Sequence, residues 1–157
     1  MGALGFCSNQ EFLDELGAEA PASYEDLLNP ALEDNIAMAD QRTSGTAATA
    51  AANLVALLGS EEAALDYLKE LDSNIFQYTR SGSAPGRMAA QGEVATAVIF
   101  SHDCVAFELE TGVDLAISLD EVALADGYSP QLAEDLRGGD FPERFANEVR
   151  GGAQAPE

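Results

Sequence analysis

The chain has 157 residues, enough for one domain with a hydrophobic core, and its formal charge is −21 because 28 acidic residues face seven basic ones. Such an acidic surface argues against binding to nucleic acid or to anionic membranes. No apolar run approaches the roughly 20 residues of a membrane span, and residues 1–7 lack the basic flank and cleavage site of a signal peptide.

Apolar runs and helix-capping residues alternate along the chain. Strands are predicted at 2–7, 36–39, 74–78, 92–100 and 113–118, and helices at 9–16, 23–28, 47–58, 60–71, 83–91 and 101–110. The first helix is expected to be capped by Ser8 with Glu11, and the third to begin inside 43–46 and stop at Gly59. This alternation predicts an α/β fold with a mostly parallel sheet flanked by helices, in which ligands bind beyond the carboxyl ends of the strands.

Two Ser/Gly loops follow predicted strands, at 43–46 (Thr-Ser-Gly-Thr) and 81–83 (Ser-Gly-Ser). Ser and Thr hydroxyls cap helices, and a glycine lets the backbone approach a ligand closely. The free amide groups and the dipole at such a helix start favour an anion. The first loop is therefore predicted to form an anion site.

Positive charges are scarce, and they gather beside these loops. Only four precede Leu119, and three of them, Arg42, Arg80 and Arg87, flank the two loops. An anion could be held only where positive charge is concentrated locally, which favours this region. Alternatively, each arginine offsets neighbouring acids.

The two cysteines, Cys7 and Cys104, lie in apolar surroundings without the spacing of a metal or redox motif. We expect unpaired buried thiols, although the sequence leaves a disulfide between them open.

Several segments together resemble the extracellular solute-binding proteins of ABC importers, and most closely the group that binds ferric iron, anions or phosphonates. The matching segments are Asn29-Pro30, Ile36-Ala-Met-Ala-Asp40, Arg42-Thr-Ser-Gly-Thr-Ala47, Tyr67-Leu68, Tyr78-Thr-Arg-Ser-Gly-Ser-Ala-Pro85, Gly92-Glu-Val94 and Phe100-Ser-His-Asp103. The resemblance implies the second lobe of a type II periplasmic binding protein, in which two α/β lobes close on a ligand. It also implies an ABC permease as partner and no catalysis.

The resemblance places both Ser/Gly loops in the cleft between the lobes. The expected ligand-binding residues are Arg42, Thr43, Ser44, Gly45, Thr46, Arg80, Ser81, Gly82, Ser83, Ser101, His102 and Asp103. Iron-binding relatives carry Asn and Tyr ligands near 101–103, and the missing Tyr pair argues against a tyrosinate ferric site. His102 and Asp103 could bind a metal or an ammonium group, or His102 could be a hydrogen-bonded structural residue.

The expected ligand is an oxyanion-bearing solute or a ferric ion with a synergistic anion. Ferric iron would be cargo, and no cofactor or protein-held metal is expected. The sequence divides into a lobe at 1–119 and a weakly helical tail at 120–157, with helices at 130–136 and 141–149 and a disordered end from Gly151.

The resemblance places the protein in the periplasm or at the cell surface, whereas a complete chain without a signal peptide would stay in the cytoplasm. The strand at 2–7 would be an unpaired edge without the rest of such a protein, and the open cleft face could self-associate. Two other hypotheses are a folded lobe that no longer binds ligand and serves as an interaction module, and an enzyme. The enzyme hypothesis lacks a nucleophile elbow and a group that would orient the single histidine.

Overall fold

A computed structural model of the chain describes residues 3–156, which contain one five-stranded sheet. The strands are β1 (Leu4–Asn9), β2 (Ile36–Ala39), β3 (Ile75–Thr79), β4 (Thr96–Phe100) and β5 (Leu115–Leu119). They lie in the order β3-β2-β4-β1-β5. β2 runs parallel to β3 and β4, whereas β1 runs antiparallel to β4 and β5, so four of the five strands point the same way. The predicted α/β fold with a mostly parallel sheet is confirmed.

The first strand does not lie where the sequence analysis placed it. β1 pairs with β4 and β5, with Gly5 opposite both Ile99 and Leu119, so it is an interior strand and the expectation of an unpaired edge was wrong. Pairing on both sides satisfies the backbone groups that an edge strand leaves open. Gly2, the predicted start, lies outside the described residues.

Within the described part of the chain, eight α-helices surround the sheet. They are α1 (Gln10–Leu16), α2 (Gly45–Leu58), α3 (Glu61–Leu71), α4 (Ala84–Ala90), α5 (Ser101–Thr111), α6 (Glu121–Leu124), α7 (Pro130–Gly138) and α8 (Phe141–Arg144) within residues 3–156. Short 3₁₀ helices at Asp26–Leu28 and Pro30–Leu32 replace the helix predicted at 23–28, and a third spans Asp72–Asn74. None of the described helices combines the length and apolar character needed to cross a bilayer.

Helix ends agree with the capping residues in most places. Ser44 caps α2, Gly59 ends it in a left-handed conformation, and Ser60 caps α3. The cap predicted for α1 was wrong, because the side chain of Asn9, one residue after Ser8, accepts the hydrogen bond from the Phe12 amide. The hydroxyl of Ser8 instead bonds that of Thr96 in the neighbouring strand at 3.0 Å.

Two hydrophobic clusters form the core. Successive residues of β1 point to opposite sides of the sheet, so Phe6 belongs to the cluster that includes α2 and α3, and Cys7 to the cluster that includes α4 and α5. Cys7 and Cys104 form a disulfide with a Cα–Cα distance of 5.8 Å. The expectation of unpaired thiols was wrong because α5 packs on β1, a contact that the sequence does not reveal.

The tail helices pack against the same core as the sheet. Leu136 of α7, Phe141 of α8 and Phe145 are buried in the cluster that contains Phe6, and residues Phe145–Val149 continue α8 as a π-helix. The division of the chain at 119 and the disorder of 151–157 stay predictions.

Candidate functional site

Three polar loops meet at one edge of the sheet because they follow β2, β3 and β4, which are neighbours and point the same way. The first two loops are in direct contact. The Thr43 hydroxyl donates a hydrogen bond to the Arg80 carbonyl at 2.8 Å. A side chain at Gly82 would overlap with Thr46, so the glycine is what allows the second loop to pack on the start of α2. The two Ser/Gly loops form one surface.

The start of α2 is partly satisfied by its own cap. The buried Ser44 hydroxyl accepts hydrogen bonds from the amides of Thr46 at 3.1 Å and Ala47 at 3.5 Å. Ser44 therefore holds the helix start in place, whereas Gly45 exposes its backbone there. The Nη1 of Arg137, in the last turn of α7, lies 3.2 Å from the point where a side chain at Gly45 would begin. A guanidinium and the positive end of a 14-residue helix thus lie side by side.

Arg137 forms no salt bridge with any residue in the described range 3–156, although the chain has 28 acidic residues. Arg80 and Arg87 are the two other described arginines that form no salt bridge with a described residue. All three lie at or near the Ser/Gly loops. Positive charge that is left without a carboxylate partner in so acidic a chain creates a local potential that attracts anions.

A family model described as "Bacterial extracellular solute-binding protein" matches residues 1–109, more than two thirds of the chain. The chain belongs to this family. Members are extracellular or periplasmic substrate-binding components of ABC importers and are not enzymes. An uncharacterized protein of Haemophilus influenzae is 45% identical over 118 residues, which are 74% of this chain and 34% of that protein.

Solved structures of solute-binding proteins give the same result. The periplasmic binding protein AfuA of Actinobacillus pleuropneumoniae, with exogenous fructose-6-phosphate bound, is 33% identical, with a TM-score of 0.68, and the match covers 94% of this chain and 50% of AfuA. The periplasmic binding protein P5PA is 31% identical, with a TM-score of 0.70, over 99% of this chain and 52% of P5PA. Iron-bound HitA of Pseudomonas aeruginosa, at 22% identity and a TM-score of 0.60 over 74% of this chain and 37% of HitA, shares the fold. The chain thus spans about half the length, or less, of the relatives it matches.

Arg42, which was predicted to bind ligand, uses its guanidinium for hydrogen bonds within the chain. Its Nε and Nη2 donate to the fully buried Asp40 at 2.9 and 3.0 Å, and its Nη1 donates to the Ala153 carbonyl at 2.8 Å. Arg150 also donates to Asp40, at 2.8 Å. Burial raises the pKa of Asp40, but hydrogen bonds from Arg42 and Arg150 outweigh burial and hold that pKa below its ordinary value. The cluster fixes the entrance to the first loop.

Arg80 and Arg87 line an open groove of about 710 Å³ between β3 and α4, together with Thr43 and Ser81. The Arg80 Nη1 lies 3.5 Å from the Pro156 carbonyl, and the Arg87 guanidinium lies 5.3 Å from the centre of the Phe107 ring. These two arginines thus flank the outer side of the second loop, whereas Arg137 flanks the start of α2.

The serines of the second loop accept hydrogen bonds from backbone amides of α4. The Ser81 hydroxyl accepts a hydrogen bond from the Ala84 amide at 3.2 Å, and the Ser83 carbonyl accepts one from Gly86 at 3.1 Å. Gly82, between them, contacts the first loop, as described above.

The third loop is the start of α5 at the end of β4. The Ser101 amide donates to the Ala3 carbonyl at 2.7 Å. His102 is largely exposed, its ring is stacked on Phe100, and its Nε2 lies 3.4 Å from an Asp103 carboxylate oxygen. Within residues 3–156, no three His, Cys, Asp or Glu side chains are grouped so that they could hold a metal ion. His102 and Asp103 are thus an accessible polar pair at the same edge as the other two loops.

Sequence reasoning missed Arg137 and Arg150. Both lie in the tail, outside the sequence segments on which the resemblance rests, and only folding brings them to residues 40–45. The scarcity of cations was the available signal, because each of the seven could have been considered as a partner of the loops. Tyr78, just ahead of the second loop, is a packing residue: its ring contacts Phe145 edge to face, and its hydroxyl donates to Asp72 at 2.6 Å.

Proposed function

We propose that this chain is the ligand-binding lobe, or part of it, of an ABC importer's substrate-binding protein, and that it binds a small solute through the solute's oxyanion group. The anion would lie at the start of α2, next to Gly45, Thr46 and Gly82, with Arg137 as its counter-charge. The observation that supports this most directly is the Arg137 guanidinium beside Gly45, which forms no salt bridge with any residue from 3 to 156. A helix start and a cation lie together at this point. They would attract a phosphate or carboxylate group there, although the chain as a whole is acidic.

A phosphorylated solute suits the proposal better than ferric iron does. AfuA, at 33% identity, has fructose-6-phosphate bound, whereas HitA, which is iron-bound, is only 22% identical. The exposed His102 and the partly buried Asp103 would then hydrogen-bond hydroxyl groups of the solute rather than ligate a metal. A ferric ion with a synergistic anion would need oxygen or nitrogen ligands from the partner lobe.

The remaining roles follow from the family. Solute-binding proteins close two lobes around the ligand and present it to a permease, so this lobe would need a partner lobe for tight capture. We propose that the protein acts outside the cytoplasm. The disulfide supports this location, because disulfides persist in oxidising compartments.

Thermal unfolding of the purified chain with phosphate, fructose-6-phosphate, a simple carboxylate, and ferric ion with carbonate tests the proposal. A ligand at 100 times its dissociation constant adds about 2.7 kcal/mol to the free energy of unfolding. Arg137→Gln should remove the stabilisation. The matched control is Lys69→Gln, since Lys69 pairs with Asp66 and Glu148 and lines none of the loops.

Cooperative unfolding that no ligand shifts would contradict the proposal and support the non-binding lobe. In that case self-association, measured by sedimentation, is the next observation to make. Turnover of any ligand would contradict both hypotheses.

A further inference from the structure

Helix α5 carries His102 and Asp103 in its first turn, and few buried side chains attach it to the sheet. Of its eleven residues, all of them described, two are buried, Cys104 and Phe107. Helix α3 has the same length and buries five side chains. Isolated helices shorter than about 12–15 residues are marginal in water, so a helix of this length depends on tertiary contacts. The position of α5 therefore depends on a small number of attachments.

The second half of α5 is attached by non-covalent contacts. A side chain at Gly86 would begin 2.8 Å from the Phe107 ring, so this ring packs closely on the backbone of α4. The Glu108 carboxylate accepts a hydrogen bond from the Leu115 amide at the start of β5, at 3.0 Å. Both contacts lie one turn or more beyond His102, and neither fixes the beginning of the helix.

The first turn of α5 is attached in a different way. The helix begins after Phe100, whose side chain has no oxygen to accept a hydrogen bond from the first amides. One backbone hydrogen bond, from the Ser101 amide to the Ala3 carbonyl at 2.7 Å, links the turn to the residue before β1. The remaining attachment is covalent, because the disulfide joins Cys104 to Cys7 in the middle of β1.

The other end of the disulfide is a fixed point. Cys7 is 1% exposed, and its strand is paired with β4 on one side and with β5 on the other. Cys104 directly follows Asp103 in the chain. The disulfide thus connects an interior strand of the sheet to the residue beside the accessible polar pair.

We infer that the Cys7–Cys104 disulfide is a latch that holds the first turn of α5, and so positions His102 and Asp103 at the edge where the two Ser/Gly loops lie. Its effect on binding rests on the proposed function, in which this pair contacts the hydroxyl groups of the solute. The anion would lie at Gly45 and Gly82, on other elements. Loss of the latch should therefore weaken binding of a hydroxyl-bearing solute and spare binding of the anion alone.

Hydrogen exchange tests the latch without any ligand. In a helix, the amides of residues 105–107 bond the carbonyls of residues 101–103, so their exchange reports opening of the first turn. In the variant Cys7→Ala with Cys104→Ala, we expect these amides to exchange at least about tenfold faster relative to amides 65–71 of α3 than in the oxidised chain. If this variant does not fold, the chain reduced with dithiothreitol replaces it.

A matched control separates the latch from a general loss of stability. Phe145→Ala removes a fully buried side chain from the other hydrophobic cluster. It should leave the exchange of 105–107 relative to 65–71 no faster than in the oxidised chain. An unchanged exchange ratio in the disulfide variant, or an equal rise in Phe145→Ala, would overturn the inference.

Calorimetric titration with fructose-6-phosphate and with inorganic phosphate tests the positioning of the pair. The disulfide variant should lose several-fold in affinity for fructose-6-phosphate and keep its affinity for phosphate. His102→Ala should weaken fructose-6-phosphate binding in the oxidised chain and have less effect in the disulfide variant. An equal loss for both ligands would overturn the positioning role. If the oxidised chain binds neither ligand, the proposed function fails, and hydrogen exchange alone decides whether the latch exists.

Discussion

Cys7 of β1 and Cys104 of α5 are joined by a disulfide that closes a loop spanning 97 residues of sequence. It ties an interior strand of the sheet to the helix that follows β4. This covalent bond crosses from sheet to helix within the smaller hydrophobic cluster.

Reduction of this disulfide should lower stability substantially. Closing a loop of about 100 residues is worth up to roughly 4.7 kcal/mol in the chain-entropy model, and measured values are typically 2–4 kcal/mol. We expect Cys7→Ala with Cys104→Ala to unfold at a clearly lower temperature than the oxidised chain. The reducing agent should shift the oxidised chain but leave the variant unaffected. Alkylation before the measurement should detect no free thiols. If the oxidised chain then unfolds at the same temperature with and without reductant, this prediction is contradicted.

Asp40→Asn should destabilise the chain in a pH-dependent way. Removing one partner from a buried ion pair costs about 3–5 kcal/mol, because Arg42 and Arg150 lose their shared counter-charge. The pKa of Asp40 is lowered in the folded state, so its contribution is complete above the unfolded-state pKa and disappears as pH falls through the folded-state value.

The free-energy difference between Asp40→Asn and the wild type should therefore be largest near neutral pH and shrink below about pH 4. Denaturant unfolding at several pH values measures it. The exposed Asp66→Asn is the control and should change stability by less than about 0.5 kcal/mol. A pH-independent difference for Asp40→Asn would contradict the argument.

Phe145→Ala should cost about 3–5 kcal/mol, as truncation of a fully buried aromatic residue does. The result tests whether the tail is part of the lobe's core, since Phe145 lies beyond residue 119. Leu109→Ala, at a position that is 81% exposed, should have almost no effect. Chemical denaturation of the three proteins provides the comparison. A small effect of Phe145→Ala would mean that the tail folds separately from the sheet.

Gly82→Ala should force the two Ser/Gly loops apart, because the added methyl group overlaps with the Thr46 side chain. Overpacking of this kind costs about 1–3 kcal/mol and should also weaken anion binding. Thr46→Ala removes Oγ1, the nearest obstructing atom, but keeps Cβ, so the double variant should recover part of the lost stability, which a double-mutant cycle measures. Gly138→Ala, where the added atom meets nothing, is the control. Additive effects of Gly82→Ala and Thr46→Ala would contradict this contact.

The Ser/Gly pattern predicted the most about the candidate site. Ser44 was expected near the start of α2 because hydroxyls satisfy the first amides of a helix, and the structure confirms the cap. The two Ser/Gly loops were expected to follow strands, at the carboxyl ends where ligands bind in such sheets, and they follow β2 and β3. Which arginine accompanies which loop could not be predicted: Arg42, adjacent in sequence, is engaged by Asp40, whereas Arg137, 92 positions from Gly45, lies beside it.

By itself, the sequence determined the local elements, the α/β class, and the order of the loops that follow the strands. These depend on hydrophobic periodicity and capping, which act over a few residues. Only the tertiary structure decided the interior position of β1, the pairing of Cys7 with Cys104, and the burial of Phe145. Each of these requires a contact between residues far apart in the chain, and a single sequence carries no record of such contacts.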